Sequence, residues 1–295
     1  MIAPEDIHSL VGRAPLGRRG FVAGSLAGGF AASVAPVGAL RAQTIVTDDA
    51  GLVSEEVLIT TADGRLMPAW RAQPAGARSL ATVLVVHEAF GVHEHIRDVC
   101  RRFARAGWQA IAPELFFRQG DPRLYETVAE VFASVISRVP DSQVLSDLDA
   151  CVSWAAGNGG QRGRLGVTGF CWGGRIVWLY AAHQPALKAG VAWYGRLSGQ
   201  TNPLTPSHPM DIAEQLRAPV LGLYGGRDEG IAVSSVDEMK TRLSFGRGAS
   251  EASDIVVYPE APHAFHADYR PTYRPDAAAD AWNRCLAWLR RFGAA

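Results

Sequence analysis

The sequence predicts an α/β fold: one domain built on a mostly parallel, twisted sheet with helices on both faces. Three observations predict it. Strand-like apolar runs alternate with helical periodicities through most of the chain, the pattern of βα units. The run Ala81-Thr82-Val83-Leu84-Val85-Val86-His87 is nearly continuous in apolar and β-branched residues, as a strand buried on both faces requires. Residues 163–182 read strand, glycine turn, helix, with a nucleophile-capable side chain at the tip.

At 295 residues the chain is long enough for one large domain with a full core. Its 48% apolar and 20% charged residues fit an ordinary globular protein. The formal net charge is zero and no basic block occurs, which argues against nucleic acid or an anionic membrane as partner. Cys100, Cys151, Cys171 and Cys285 are far apart and form no CxxC pair, so neither zinc nor dithiol chemistry is suggested.

Residues 1–43 read as a leader rather than as fold. Arg18-Arg19 precedes a mildly apolar, Gly/Ala-rich run and a small-residue site near Ala42, the order of a signal peptide. The paired arginines resemble a twin-arginine (Tat) signal, which would make the mature protein periplasmic or secreted. An uncleaved anchor helix or a loose tail is the alternative. The mature domain is placed at 44–295 and taken to act as a monomer.

Residues 55–60 and 66–72, joined by Ala62-Asp63-Gly64-Arg65, predict an N-terminal β-hairpin. The strand at 81–87 follows. Residues 95–106 predict a helix with Ile96, Val99, Cys100 and Phe103 on one face, closed by Gly107. A strand at 108–112 stops at Pro113. Residues 128–139 and 142–156 are helical in pattern. After the elbow come a strand at 187–194, a polar loop at 199–208, a strand at 220–226 and a helix at 234–243. A strand at 255–258 and an amphipathic helix at 277–292 close the chain.

In such a sheet the active groups sit on loops at the carboxyl ends of the strands. Four loops carry candidates: His87-Glu88-Ala89-Phe90-Gly91, the elbow Gly169-Phe170-Cys171-Trp172-Gly173-Gly174, Gly225-Gly226-Arg227-Asp228, and Pro259-Glu260-Ala261-Pro262-His263. The order nucleophile, acid, histidine is that of the α/β-hydrolase fold. It assigns Cys171 as nucleophile, His263 as general base and then acid, and Asp228 as the residue that orients His263. The Trp172 N–H would point at an oxyanion, with Ala89 N–H as its partner. Blander readings stand beside these: an inert buried thiol at Cys171, a helix cap at Asp228, a structural histidine at His263. Cys100, Cys151 and Cys285 read as core. His87, His93 and His95 lack the accompanying ligands of a metal site, and no motif asks for a cofactor.

These loops, with Pro113-Glu114-Leu115-Phe116 and Ala264-Phe265, resemble the dienelactone hydrolase (carboxymethylenebutenolidase) family from about residue 55 to the C-terminus. The resemblance implies hydrolysis of a small ester or enol-lactone through a thioester acyl-enzyme, without cofactor. It implies that Glu88 helps convert a resting thiol into thiolate when substrate binds, and that Phe90 and Arg118 contact substrate. The family's second carboxylate-binding arginine falls at Ala267. A broader esterase or thioesterase, and a non-catalytic binding protein on the same fold, are the competing functions.

Overall fold

The computed structural model describes residues 44–295, so the export reading of residues 1–43 lies outside the described residues. The strands are β1 (Leu52–Thr60), β2 (Leu66–Pro74), β3 (Leu80–Val86), β4 (Gln109–Pro113), β5 (Gly160–Phe170), β6 (Leu187–Trp193), β7 (Val220–Gly225) and β8 (Asp254–Tyr258). They form one sheet in the order β1-β2-β4-β3-β5-β6-β7-β8. The β1–β2 hairpin and the β2–β4 pair are antiparallel. From β4 to β8 every pairing is parallel.

The helices are α1 (Glu94–Arg105), α2 (Val128–Ser134), α3 (Asp141–Gly157), α4 (Trp172–His183), α5 (Val233–Phe245) and α6 (Pro275–Arg291). They cover both faces. On one face Phe103 of α1 meets Trp282 of α6, with ring centroids 4.6 Å apart. On the other, Tyr180 of α4 donates to Asp149 of α3 at 3.0 Å. The parallel strands between them are buried nearly throughout, which is why their sequences read as continuous apolar runs rather than alternating ones.

One helical expectation is corrected. The pattern at 128–139 is not one helix: α2 ends at Ser134 and a 3-10 turn, Ile136–Arg138, follows. Val135 leaves helical geometry at φ −118°. Pro140, which disfavours helix at the residue before it, closes the segment. The break matters because it turns Ile136 toward the cavity described below.

Two close approaches position the elbow. A Cβ on Gly173 would lie 2.4 Å from Val86 O at the end of β3, and one on Gly174 would lie 2.5 Å from Trp193 O at the end of β6. Glycine at both lets the start of α4 press onto the strands on either side of β5. Cys171 is then held between them in left-handed geometry, φ 54°, with its N–H bonded to Trp193 O at 3.0 Å. For a residue with a Cβ that backbone is strained, and its persistence is typical of functional turns.

Candidate active site

The elbow places the Cys171 side chain at the N-terminus of α4, 8% exposed. The loops after β7 and β8 bring the other two groups to it. His263 Nδ1 lies 2.6 Å from Asp228 Oδ2. Asp228 Oδ1 accepts from Gly230 N at 2.9 Å and Ile231 N at 3.1 Å. Asp228 thus caps the turn through one oxygen and meets the His263 imidazole through the other. Capping fixes the carboxylate, and the fixed carboxylate sets the imidazole with Nδ1–H donating.

His263 Nε2 is buried and faces the Cys171 sulfur. Burial, the largest influence on this imidazole, opposes its cation. Asp228 and the Cys171 sulfur overcome that and raise its pKa to about 10. The arrangement therefore favours an imidazolium at His263.

Glu88 is 1% exposed, directly after β3. Burial works against its charge, yet its pKa is held below the ordinary range by hydrogen bonding to His93 and by the nearby Arg270 cation. His93 Nε2 lies 3.4 Å from Glu88 Oε2, and Tyr269 donates to the same oxygen at 2.7 Å. Burial also lowers the His93 pKa, so near neutrality that ring is uncharged and Arg270 is the lasting positive charge. Glu88 Oε1 has no hydrogen-bond partner among the described residues.

The oxyanion candidates lie where the elbow meets the β3 loop. Trp172 is the first residue of α4, so its N–H has no acceptor within the helix. Ala89 is fully buried on the facing loop, whose start Gly173 approaches. That loop is anchored by His87, whose Nδ1 lies 2.6 Å from Glu88 O and whose Nε2 accepts from Leu115 N at 3.2 Å. Burial lowers its pKa to about 4 and keeps it neutral for both bonds. His95 turns elsewhere, to Asp268 at 3.1 Å, so the three histidines do not converge.

Two substrate-contact expectations are corrected. Arg118 is not at the site. Its guanidinium binds Asp63 at 2.9 Å and Asp147 at 2.6 Å, tying the hairpin turn to α3. Phe90 is 2% exposed and lies under the Arg270 guanidinium, 5.7 Å from ring centroid to Cζ, rather than on the cavity wall. Ala267 is fully buried. Arg270, three residues later, is the cation close to Glu88 and Cys171.

Sequence reasoning missed Tyr194. It follows β6, is fully buried, and has φ 39°. The crossing of Gly195 over Gly174 forces that geometry, since a Cβ on Gly195 would lie 2.3 Å from the Gly174 carbonyl carbon. Its ring packs 5.0 Å from His263, and its hydroxyl has no partner among the described residues. Its place at the carboxyl end of a parallel strand was the available signal. Tyr269 and Arg270 carried none, because a long irregular loop returns them to the site.

Cys171, Trp172, Tyr194 and His263 open into a cavity of about 790 Å³. The other three cysteines are free and buried, and burial holds their thiols well above the ordinary range.

Comparison with known proteins agrees with this geometry. The family model described as the dienelactone hydrolase family matches residues 67–293. A Methylorubrum extorquens protein provisionally named carboxymethylenebutenolidase is 55% identical over 291 residues, covering 98% of each chain. A Bradyrhizobium protein provisionally named 2-oxo-3-(5-oxofuran-2-ylidene)propanoate lactonase is 33% identical over 233 residues, covering 78% of this chain and 91% of that one. A Klebsiella pneumoniae crystal structure, provisionally described as a dienelactone hydrolase, superposes with TM-score 0.79 at 53% identity, covering 82% of this chain and 99% of that one. With the elbow, the sheet order and these matches together, the chain belongs to the dienelactone hydrolase family, on an α/β-hydrolase fold.

Proposed function

We propose that the protein hydrolyses a carboxylic ester or enol-lactone through the triad Cys171, His263 and Asp228. Family membership makes it a carboxylic ester hydrolase. The observation that carries the finer reading is the His263 imidazole, held at 2.6 Å by Asp228 and turned toward a thiol on a strained elbow.

The Cys171 sulfur attacks the acyl carbon, and the carbonyl oxygen becomes an oxyanion between the N–H groups of Trp172 and Ala89. Collapse breaks the carbon–oxygen bond. His263 Nε2 gives its proton to the leaving oxygen, and the acyl group remains on sulfur as a thioester. Water, deprotonated by His263, then attacks the thioester and releases the acid and the thiolate. The resemblance gives Glu88 an earlier part, in converting the Cys171 thiol into thiolate when substrate binds; its burial directly after β3 supports that part. The occupation of Arg118 by Asp63 and Asp147, with Ala267 at the other arginine position, favours an ester without the acidic-lactone preference.

Cys171→Ala should cut kcat/KM for an aryl ester by at least ~10³-fold with folding unchanged. Rapid quench of wild type should show an acyl adduct on Cys171 by mass. Retained turnover with no adduct would overturn the assignment. The export reading rests on Arg18-Arg19, the apolar run after it and the small-residue site near Ala42; an N-terminus still at Met1 in protein from its native host would remove it.

A further inference from the structure

The cavity is far larger than a small lactone needs. At about 790 Å³ it lies in the upper part of the roughly 300–1,000 Å³ range that buries ligands of drug size. Cys171 and His263 occupy one end. The rest runs along the loop after β6 to the broken end of α2.

Its walls differ in chemistry. Ile136, Val139, Leu197 and Ile231 are each under 9% exposed and form an apolar wall, extended by the half-buried Phe132. Ser198, Thr201, Asn202 and Thr205 add a polar lining to the same cavity, with Arg196 beside them. Arg175 also lines the cavity, but its charge is answered by both oxygens of Asp141 at 2.7 Å.

The space is built rather than left over. Arg175 also donates to Ser207 O at 2.8 Å and to His208 Nδ1 at 3.3 Å. His208 Nε2 reaches Gln200 O at 3.2 Å, and Asp141 N donates to Leu204 O at 2.8 Å. Asn202 Oδ1 accepts from Leu204 N and Thr205 N. A buried ion pair and a bonded loop thus frame the cavity. Close-packed interiors do not leave an unfilled space of this size without such support.

We propose that the substrate carries an extended apolar acyl group, medium-chain or arylalkyl, seated against the Ile136 wall, with its carbonyl at Cys171. The proposal rests on the Cys171 triad and adds the substrate class. The loop at Ser198–Thr205 would meet neutral polar groups on the other edge of the same chain.

The test compares p-nitrophenyl acetate with p-nitrophenyl octanoate below micellar concentration, so that only the acyl group changes. Each methylene buried should multiply kcat/KM by about fourfold, so even partial burial of six should give ~10²-fold. Ile136→Trp fills the wall and should bring the octanoate-to-acetate ratio down at least ~10-fold. Phe132→Ala, which removes wall without adding bulk, should lower the same ratio and serves if the tryptophan variant misfolds. A wild-type ratio within fivefold of one overturns the proposal, as does a high ratio unmoved by a folded variant of either kind. Acetate turnover that survives Cys171→Ala would instead overturn the triad reading, which separates the two failures.

Discussion

Arg118→Ala separates a structural arginine from a substrate-binding one. The resemblance places this residue on a substrate carboxylate, whereas the fold spends its guanidinium on two aspartates. Asp147 is 1% exposed and receives two of its hydrogen bonds, at 2.6 and 3.0 Å. Removing the arginine leaves that carboxylate buried, and burial already raises its pKa. Breaking one side of a buried pair typically costs about 3–5 kcal/mol. Arg118 is itself 12% exposed, so water can reach part of the gap and the lower figure, ~3 kcal/mol, applies. The Asp63 half adds nothing countable, because that carboxylate is open to solvent. For a domain of this size ~3 kcal/mol is a Tm fall of roughly 6–12 °C. Differential scanning calorimetry measures the fall, and steady-state kinetics on an anionic and a neutral ester of equal size measure the other half. Both kcat/KM values should stay within about threefold of wild type, since the site is untouched. Arg118→Met with Asp147→Leu should recover most of the lost stability, because no buried charge is then left alone. A variant with wild-type Tm that loses the anionic ester tenfold or more would refute the reasoning.

Asp228→Asn should lower kcat ~10⁴-fold with little change in KM, because the amide presents the wrong partner to Nδ1. Its stability effect should depend on pH. The His263 pKa lies near 10 in the fold, above its ordinary value of 6.5, so its contribution is complete below about 6.5 and is lost as pH climbs to 10. Urea unfolding should therefore show the wild-type advantage over Asp228→Asn shrinking across that window. Glu88→Gln removes the anion beside the sulfur, so iodoacetamide at pH 7 should alkylate Cys171 about tenfold faster than in wild type; equal rates would deny Glu88 its restraining role. Tyr194→Phe keeps the ring against His263 but deletes a buried hydroxyl with no partner, so thermal unfolding should show a stabilisation of ~1 kcal/mol.

The sheet was legible because its strands carry their own evidence. Buried parallel strands need continuous apolar runs, and each of those runs became a strand. The candidate triad was legible because such folds put active groups at strand ends, where glycines and a change of periodicity mark them. What stayed hidden depends on where a long side chain reaches. Arg118 sits one loop from the site in sequence, yet its guanidinium reaches backward to Asp63 and Asp147. Arg270 looks misplaced beside Ala267, yet the irregular 259–274 segment folds it toward Glu88. The α2 break was masked because residues 128–139 keep an apolar periodicity on both sides of Val135.

The charges around Cys171 give the site its order of events. On the proposed mechanism two anions, a thiolate and Glu88, would both lie near Arg270, and their coexistence is costly unless cations balance them. His263 balances the thiolate, supported by Asp228. Around Glu88, Tyr269 donates a hydrogen bond, His93 Nε2 lies 3.4 Å away and Arg270 supplies charge at longer range. Together these groups hold the Glu88 charge against its burial. Substrate expels water and brings a carbonyl into the oxyanion site. On the proposed mechanism a proton leaving the thiol would pass to the unpartnered Oε1, and the thiolate left behind would face His263. A family member with an arginine at the Ala267 position would hold Glu88 ionised more strongly. Without it, the balance here rests on the His93–Tyr269–Arg270 group, which is why the reactivity of Cys171 should respond to changes at Glu88 and not to changes at Arg118.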